Sequence, residues 1–136
     1  MSGKVENYLI GMDCGTTNIK AIILGEDGTI VAEDSRLSKF MCLGPNMQEQ
    51  DANEWWENSV KIFRSLSQQA GKEIMEKVRG ISISSHTVSM LPLDENREPI
   101  YNALTYQDGR SSKELQYIID TIGYDKYVNI IGGQPA

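Results

Sequence analysis

The sequence has a single histidine, two cysteines and no apolar run approaching the roughly 20 residues that a membrane-spanning helix needs. A catalytic constellation built on several histidines is therefore excluded within these residues. Cys14 and Cys42 have neither metal-ligand spacing nor the numbers for a disulfide framework, so two free thiols in a cytoplasmic setting are expected. The first seven residues, Met1 to Asn7, lack the hydrophobic core of a signal peptide. Lysine and arginine are scattered and the formal net charge is −6, which argues against a nucleic-acid or anionic-membrane surface. Internal repeats and low-complexity tracts are also missing. What remains is a 136-residue chain of ordinary globular composition, enough for one domain of modest size. Its oligomeric state stays open, a homodimer included.

The most informative stretch runs from Tyr8 to Leu24. Two apolar segments, Tyr8-Leu9-Ile10 and Ile19-Lys20-Ala21-Ile22-Ile23-Leu24, flank a loop with one acid, one glycine, two threonines and an asparagine. Glu26-Asp27-Gly28 and a third apolar run, Ile30-Val31-Ala32, follow; Asp-Gly between such runs signals a hairpin. In the first loop, Gly15 permits close backbone approach, and successive amides from Gly15 to Asn18 can form an anion-binding concavity. Thr16 and Thr17 add hydroxyl donors. Asp13 is placed to hold a hydrated magnesium ion, and Lys20 adds a positive point charge. Phosphate with magnesium uses all these groups together, although Asp-x-Gly-Thr also occurs as an ordinary tight turn. Cys14 fits as a small filler residue or as an oxidisable thiol.

An irregular segment follows, Arg36 to Gln50, broken at Gly44-Pro45-Asn46. Asp51-Ala52-Asn53-Glu54 reads as a helix start. Trp56, Val60, Phe63 and Leu66, with Trp55 and Ile62, form the apolar stripe of a buried helix ending near Gly71, with a second helical piece over Lys72 to Lys77. The tryptophans fit core packing better than a sugar-stacking platform. Ile81 and Ile83 alternate with serines, as in a strand, and a strand–helix–strand unit implies a parallel neighbour. Ligands gather at the carboxyl ends of such strands, which favours Ser85-His86-Thr87-Val88. Met90 to Leu93 and Ala103 to Tyr106 read as short strands. Ser111-Ser112-Lys113-Glu114 is a capping-box pattern opening a helix with Leu115, Ile118, Ile119 and Ile122 on its apolar face. Tyr124 to Ile131 reads as a further short helix, stopped at Gly132-Gly133 ahead of Gln134-Pro135-Ala136.

Four segments, in order, resemble the start of an FGGY carbohydrate kinase. Met12-Asp13-Cys14-Gly15-Thr16-Thr17 resembles the family's first phosphate loop. Met47-Gln48-Glu49-Gln50-Asp51, then a tryptophan, resembles its Gly-Trp-x-Glu-Gln-Asp-Pro segment without the Gly-Trp and the proline. Gly80 to Ser85 resembles the strand leading to the sugar loop. Pro99 to Arg110 resembles Pro-x-x-x-Ala-Ile-x-Trp-x-Asp-x-Arg, with Tyr106 in place of the tryptophan. The resemblance implies an α/β, ribonuclease H-like domain of the actin-like ATPase type: a mixed central sheet, its first three strands antiparallel, with helices on the faces.

The resemblance further implies ATP-dependent phosphorylation of a sugar or polyol hydroxyl. Asp13 would act catalytically by holding magnesium, while Gly15, Thr16, Thr17, Asn18 and Lys20 would bind ATP phosphates. His86, Thr87, Val88, Asp108 and Arg110 fall at substrate-binding positions. Val88 departs from the family pattern, since its side chain cannot hydrogen-bond a polyol. His86 has a structural hydrogen-bond role as its equal alternative, and Asp108–Arg110 an ordinary helix-entry pair. On this reading residues 1–136 form the N-terminal part of the first, sugar-binding lobe. The catalytic base, an aspartate, and the second lobe would lie beyond Ala136, so these residues alone would not be a competent kinase. A non-catalytic nucleotide- or sugar-binding module on the same fold is the alternative.

Overall fold

The computed structural model describes residues 5–133; Met1 to Lys4, from the stretch read as lacking a signal peptide, and the Gln134–Ala136 tail lie outside the described residues. Three strands open the fold: β1 (Tyr8–Cys14), β2 (Asn18–Gly25) and β3 (Ile30–Leu37). β1–β2 and β2–β3 are antiparallel, as the two turn signals require. The second turn is built by its side chain: the Asp27 carboxylate accepts from the Thr29 N–H and hydroxyl, both at 3.0 Å, and Gly28 takes φ 88°. β3 runs five residues past the apolar run that announced it, because its far half is half-solvated and pairs with β2 through polar residues such as Ser35 and Arg36.

Alternation puts Tyr8, Ile10 and Met12 of β1 and Ile19, Ala21 and Ile23 of β2 on one face. Helix α1 (Ala52–Met75) covers that face with Ile62 and Leu66, both fully buried. Burial of each such aliphatic side chain contributes roughly 1.5–3 kcal/mol. Asp51 caps α1 by accepting the Asn53 N–H at 2.8 Å. Trp55 packs against the core, whereas Trp56 is 73% exposed. Of the expected stripe, Trp55, Ile62, Phe63 and Leu66 pack into or against the core as the spacing requires; Trp56 alone turns out to solvent.

Gly71 breaks α1 with φ 76° and ψ 168°, a conformation open essentially to glycine alone. The chain then enters β6 (Val78–Ser85), which pairs in parallel with β1 and completes the order β3-β2-β1-β6. In register, Cys14 lies beside Ser85, so the carboxyl ends of β1 and β6 open together. Ile81 and Ile83 share the core-side face with Ile10 and Met12 but are 57% and 63% exposed, since α1 lies over β2 and β3.

The segment read as irregular contains a hairpin, β4 (Met41–Gly44) and β5 (Met47–Gln50), turning at Pro45-Asn46 with Asn46 at φ 60°. β5 also pairs with β7 (Ala103–Leu104), giving a second sheet ordered β4-β5-β7. The strand expected at Met90–Leu93 is reduced to isolated bridges, Met90 with Leu104 and Leu93 with Pro99. Helices α2 (Ser112–Ile122) and α3 (Tyr124–Ile131) form where expected and contact each other. The Ser111 side chain makes no capping bond, and none of the residues in the two helices is buried. Among the described residues no helix is long and apolar enough to cross a membrane.

Candidate phosphate-binding site

The loop between β1 and β2 spans Cys14 to Asn18, and four of its five carbonyls are engaged by the protein. Cys14 O accepts from the His86 N–H at 3.2 Å and faces His86 Nδ1 at 2.9 Å. A ring nitrogen facing a carbonyl must carry the proton, so Nδ1 donates and Nε2 is the nitrogen left over. Thr16 O accepts from Gln50 Nε2 at 2.7 Å, Thr17 O from the Ser38 N–H at 2.8 Å, and Asn18 O from the Gly15 N–H at 3.0 Å. Among the described residues the Thr16 and Thr17 N–H groups have no acceptor. The loop therefore engages most of its acceptors within the protein while two successive amides stay free of one, the arrangement of an anion-binding nest.

Gly15 is required by close packing. A Cβ there would meet Asn18 O at 2.9 Å, closer than carbon and carbonyl oxygen tolerate. Asp13 and Lys20 lie opposite each other in the β1–β2 register and form an ion pair at 3.2 Å. Both remain partly exposed, so the pair adds little stability, between about 0 and 1 kcal/mol. Their arrangement leaves an anionic oxygen and a cation side by side at the loop's mouth. Burial and the neighbouring Asp13 carboxylate push the Cys14 thiol up, which keeps it protonated and favours the filler role over a reactive thiolate.

A groove of about 450 Å³ runs over this loop, lined by Asp13, Gly15, Thr16, Thr17, Asn18, Lys20, Phe40, Tyr106 and Gln107. A larger depression, about 670 Å³, shares Asp13 and Lys20 but continues over the sheet face opposite α1, past Gly11, Ile22 and Ser82. The smaller groove has the convergent donors and is the site of interest. All six predicted loop residues line it. Tyr106 and Gln107 enter from a segment 60 or more positions away, and Phe40 precedes β4. The sequence reading did not assign these three to the site; the tyrosine standing for the family's tryptophan was the signal available for one of them.

The remaining predicted residues lie elsewhere. His86 sits behind the loop, edge-on to Trp55 with ring centroids 5.4 Å apart. Thr87 and Val88 are exposed on the loop after β6, and Val88 has φ 60°, a strained value for a β-branched residue. Asp108 and Arg110 form an ion cluster with Glu49 in which the two carboxylates are buried and the arginine is partly exposed. Arg110 Nη2 lies 2.7 Å from Glu49 Oε1, and Arg110 Nε lies 2.9 Å from Asp108 Oδ1. Asn102 and the Tyr101 hydroxyl also donate to Glu49, whose side chain is fully buried. Asn102 and Arg110 hold the Glu49 carboxyl below its usual range despite that burial. The Arg110 guanidinium, helped by the Gln48 N–H, brings the Asp108 carboxyl down to about 2.

The N-terminal domain of the FGGY family of carbohydrate kinases matches residues 8–135. The chain belongs to that family. A xylulose kinase of Staphylococcus epidermidis is 32% identical over 120 residues, covering 88% of this chain and 24% of the relative. A glycerol kinase of Haloferax volcanii is 31% identical over 117 residues, covering 85% of this chain and 22% of the relative. Among solved structures, a xylulose kinase from Rhodospirillum rubrum superposes with a TM-score of 0.82 at 24% identity, over 90% of this chain and 25% of that one. This FGGY chain thus has the family fold, a mixed sheet with antiparallel β1–β3, and spans about a quarter of the length of the relatives it matches.

Proposed function

We propose that this chain supplies the phosphate-binding part of an ATP-dependent kinase acting on a sugar or polyol hydroxyl. The observation that carries the reading is the outward row of unpartnered amides at Thr16 and Thr17, flanked by Asp13 and Lys20 in one groove. The donor set suits a nucleotide's phosphates with magnesium: an acidic oxygen for a hard cation, amides and hydroxyls for phosphate oxygens, and an ammonium. Asp13 would hold the metal, and Gly15, Thr16, Thr17, Asn18 and Lys20 the phosphates. Magnesium, when bound, supplies charge neutralisation on the phosphates. The loop's own contribution is to hold donors in place so that they need not reorganise as charge builds up.

The acceptor hydroxyl belongs near the β6 end, with Thr87 and the loop around Val88 as its nearest contacts. His86 can reach it only through Nε2, since Nδ1 is spent on Cys14 O. Asp108 and Arg110 act on that region by holding the 99–110 segment against β5. Deprotonation of the hydroxyl needs a carboxylate within hydrogen-bond reach, which we place outside these residues, in keeping with a first-lobe N-terminal portion. A reducing cytoplasm fits the free thiols of Cys14 and Cys42. One observation favours a binding module instead: Val88, 74% exposed, offers the substrate loop no side-chain hydrogen bond.

Turnover of the full-length polypeptide with magnesium ATP and a panel of polyols and ketopentoses decides between them. ADP release that depends on one acceptor supports the kinase. Acceptor or nucleotide binding with no ATP consumption supports the module.

A further inference from the structure

Gln50 is fully buried at the end of β5, and its Oε1 has no partner. A buried amide with an unsatisfied oxygen is a poor core filler, since an apolar side chain would occupy the space without that penalty. Its one bond runs from Nε2 to Thr16 O at 2.7 Å, across 34 positions of sequence. The peptide between Thr16 and Thr17 is planar and trans, so its carbonyl and its N–H point in opposite directions. Whatever holds Thr16 O therefore aims Thr17 N–H away from Gln50, and that N–H has no acceptor among the described residues.

The position of Gln50 is itself fixed from behind. Its neighbour Glu49 is locked by Arg110, Asn102 and Tyr101, and Thr105 N–H bonds Gln48 O. We propose that Gln50 is a positioning residue for the phosphate loop: it turns the Thr16–Thr17 peptide so that Thr17 N–H meets a nucleotide phosphate oxygen. The Glu49–Asp108–Arg110 cluster anchors the strand from which it reaches. The inference rests on the nucleotide-phosphate reading of the groove and gives that reading a definite donor.

The test uses Gln50→Ala and Gln50→Glu in the full-length polypeptide. Q50A removes the donor and is expected to raise KM for magnesium ATP about tenfold while KM for the polyol stays unchanged, because a misaimed donor weakens contacts at the phosphates alone. Q50E keeps the shape but faces Thr16 O with a second acceptor. It is expected to be worse than Q50A at about pH 8 and to recover towards about pH 6, where a buried carboxyl can be protonated and donate. A filler role predicts neither the ATP-selective KM effect nor the acid recovery. Parallel rises in both KM values, or a Q50E profile matching the unsubstituted protein, would overturn the proposal.

Hydrogen exchange at Thr17, with and without magnesium ATP, separates this inference from the kinase reading. If the unsubstituted protein turns over no acceptor yet ATP protects Thr17 and Q50E abolishes the protection, the kinase reading falls and Gln50 keeps its role. Where the variants do not fold, the unsubstituted protein still decides. One Gln50 side-chain amide proton should exchange slowly, and two freely exchanging ones would refute the bond.

Discussion

The Asp108 carboxylate offers the most quantitative check on how the site is braced. Its side chain is 6% exposed and accepts from the Gln48 N–H at 2.9 Å, the Arg110 N–H at 3.1 Å and the Arg110 guanidinium. These donors, Arg110 first, bring its pKa from 3.8 down to about 2, against the opposing effect of burial. At about 1.4 kcal/mol per unit, a drop of nearly two units is worth roughly 2 kcal/mol of folding stability. The sign follows from the depressed pKa. The contribution is fully present above the unfolded value near 4 and is lost as pH falls through the folded value near 2. Asp108→Asn keeps the shape and removes the charge. Urea unfolding followed by circular dichroism should therefore show a gap of about 2 kcal/mol between the two proteins at neutral pH. The gap should narrow below about pH 4 and largely close near pH 2. A gap independent of pH would show that the carboxylate's charge is not what Arg110 and Gln48 stabilise.

Asp13→Asn should abolish ATP turnover while shifting the thermal midpoint by no more than a degree or two, because the Asp13–Lys20 pair is partly exposed and worth about 1 kcal/mol at most; coupled ADP detection and thermal melts check both halves. Gly15→Ala should push the loop off Asn18 O, since the new Cβ would lie 2.9 Å from it, and raise KM for ATP more than KM for the acceptor. Leu66→Ala, at a fully buried position of α1, should cost about 2–5 kcal/mol in urea unfolding and leave the groove's residues in place in those molecules that fold.

The fold was most legible where local chemistry and tertiary demand agree. The β1–β2–β3 meander announced itself through Asp27-Gly28 and an isoleucine-rich second run, of which the structure fully buries Ile19 and Ile23. The β4–β5 hairpin was missed because its strands are four residues each and carry no clean alternation. Only Pro45-Asn46 marked it, a pair suited to a tight turn with the second residue at positive φ. The Ser111–Glu114 pattern began a helix as expected, yet the serine side chain made no cap, so the motif located the helix without describing its end. For the site, the loop from Asp13 to Asn18 was readable because a contiguous run carries all its donors. The anchors were not, because Gln50 and Ser38 reach the loop from distant segments that only tertiary structure brings alongside.

Gly71 shapes the site from afar. Its torsions are open space on the side-chain side, with no atom within 4 Å of a would-be Cβ, so an alanine there would meet no clash and only a torsional penalty. That penalty would be relieved most readily by redirecting the chain before it joins the sheet. A one-residue slip of β6 along β1 would exchange its isoleucines for its serines on the core side and carry the imidazole at its far end away from the Cys14 carbonyl. A redirected helix hinge would in that case be felt as a misplaced hydrogen bond at the opposite end of the next strand.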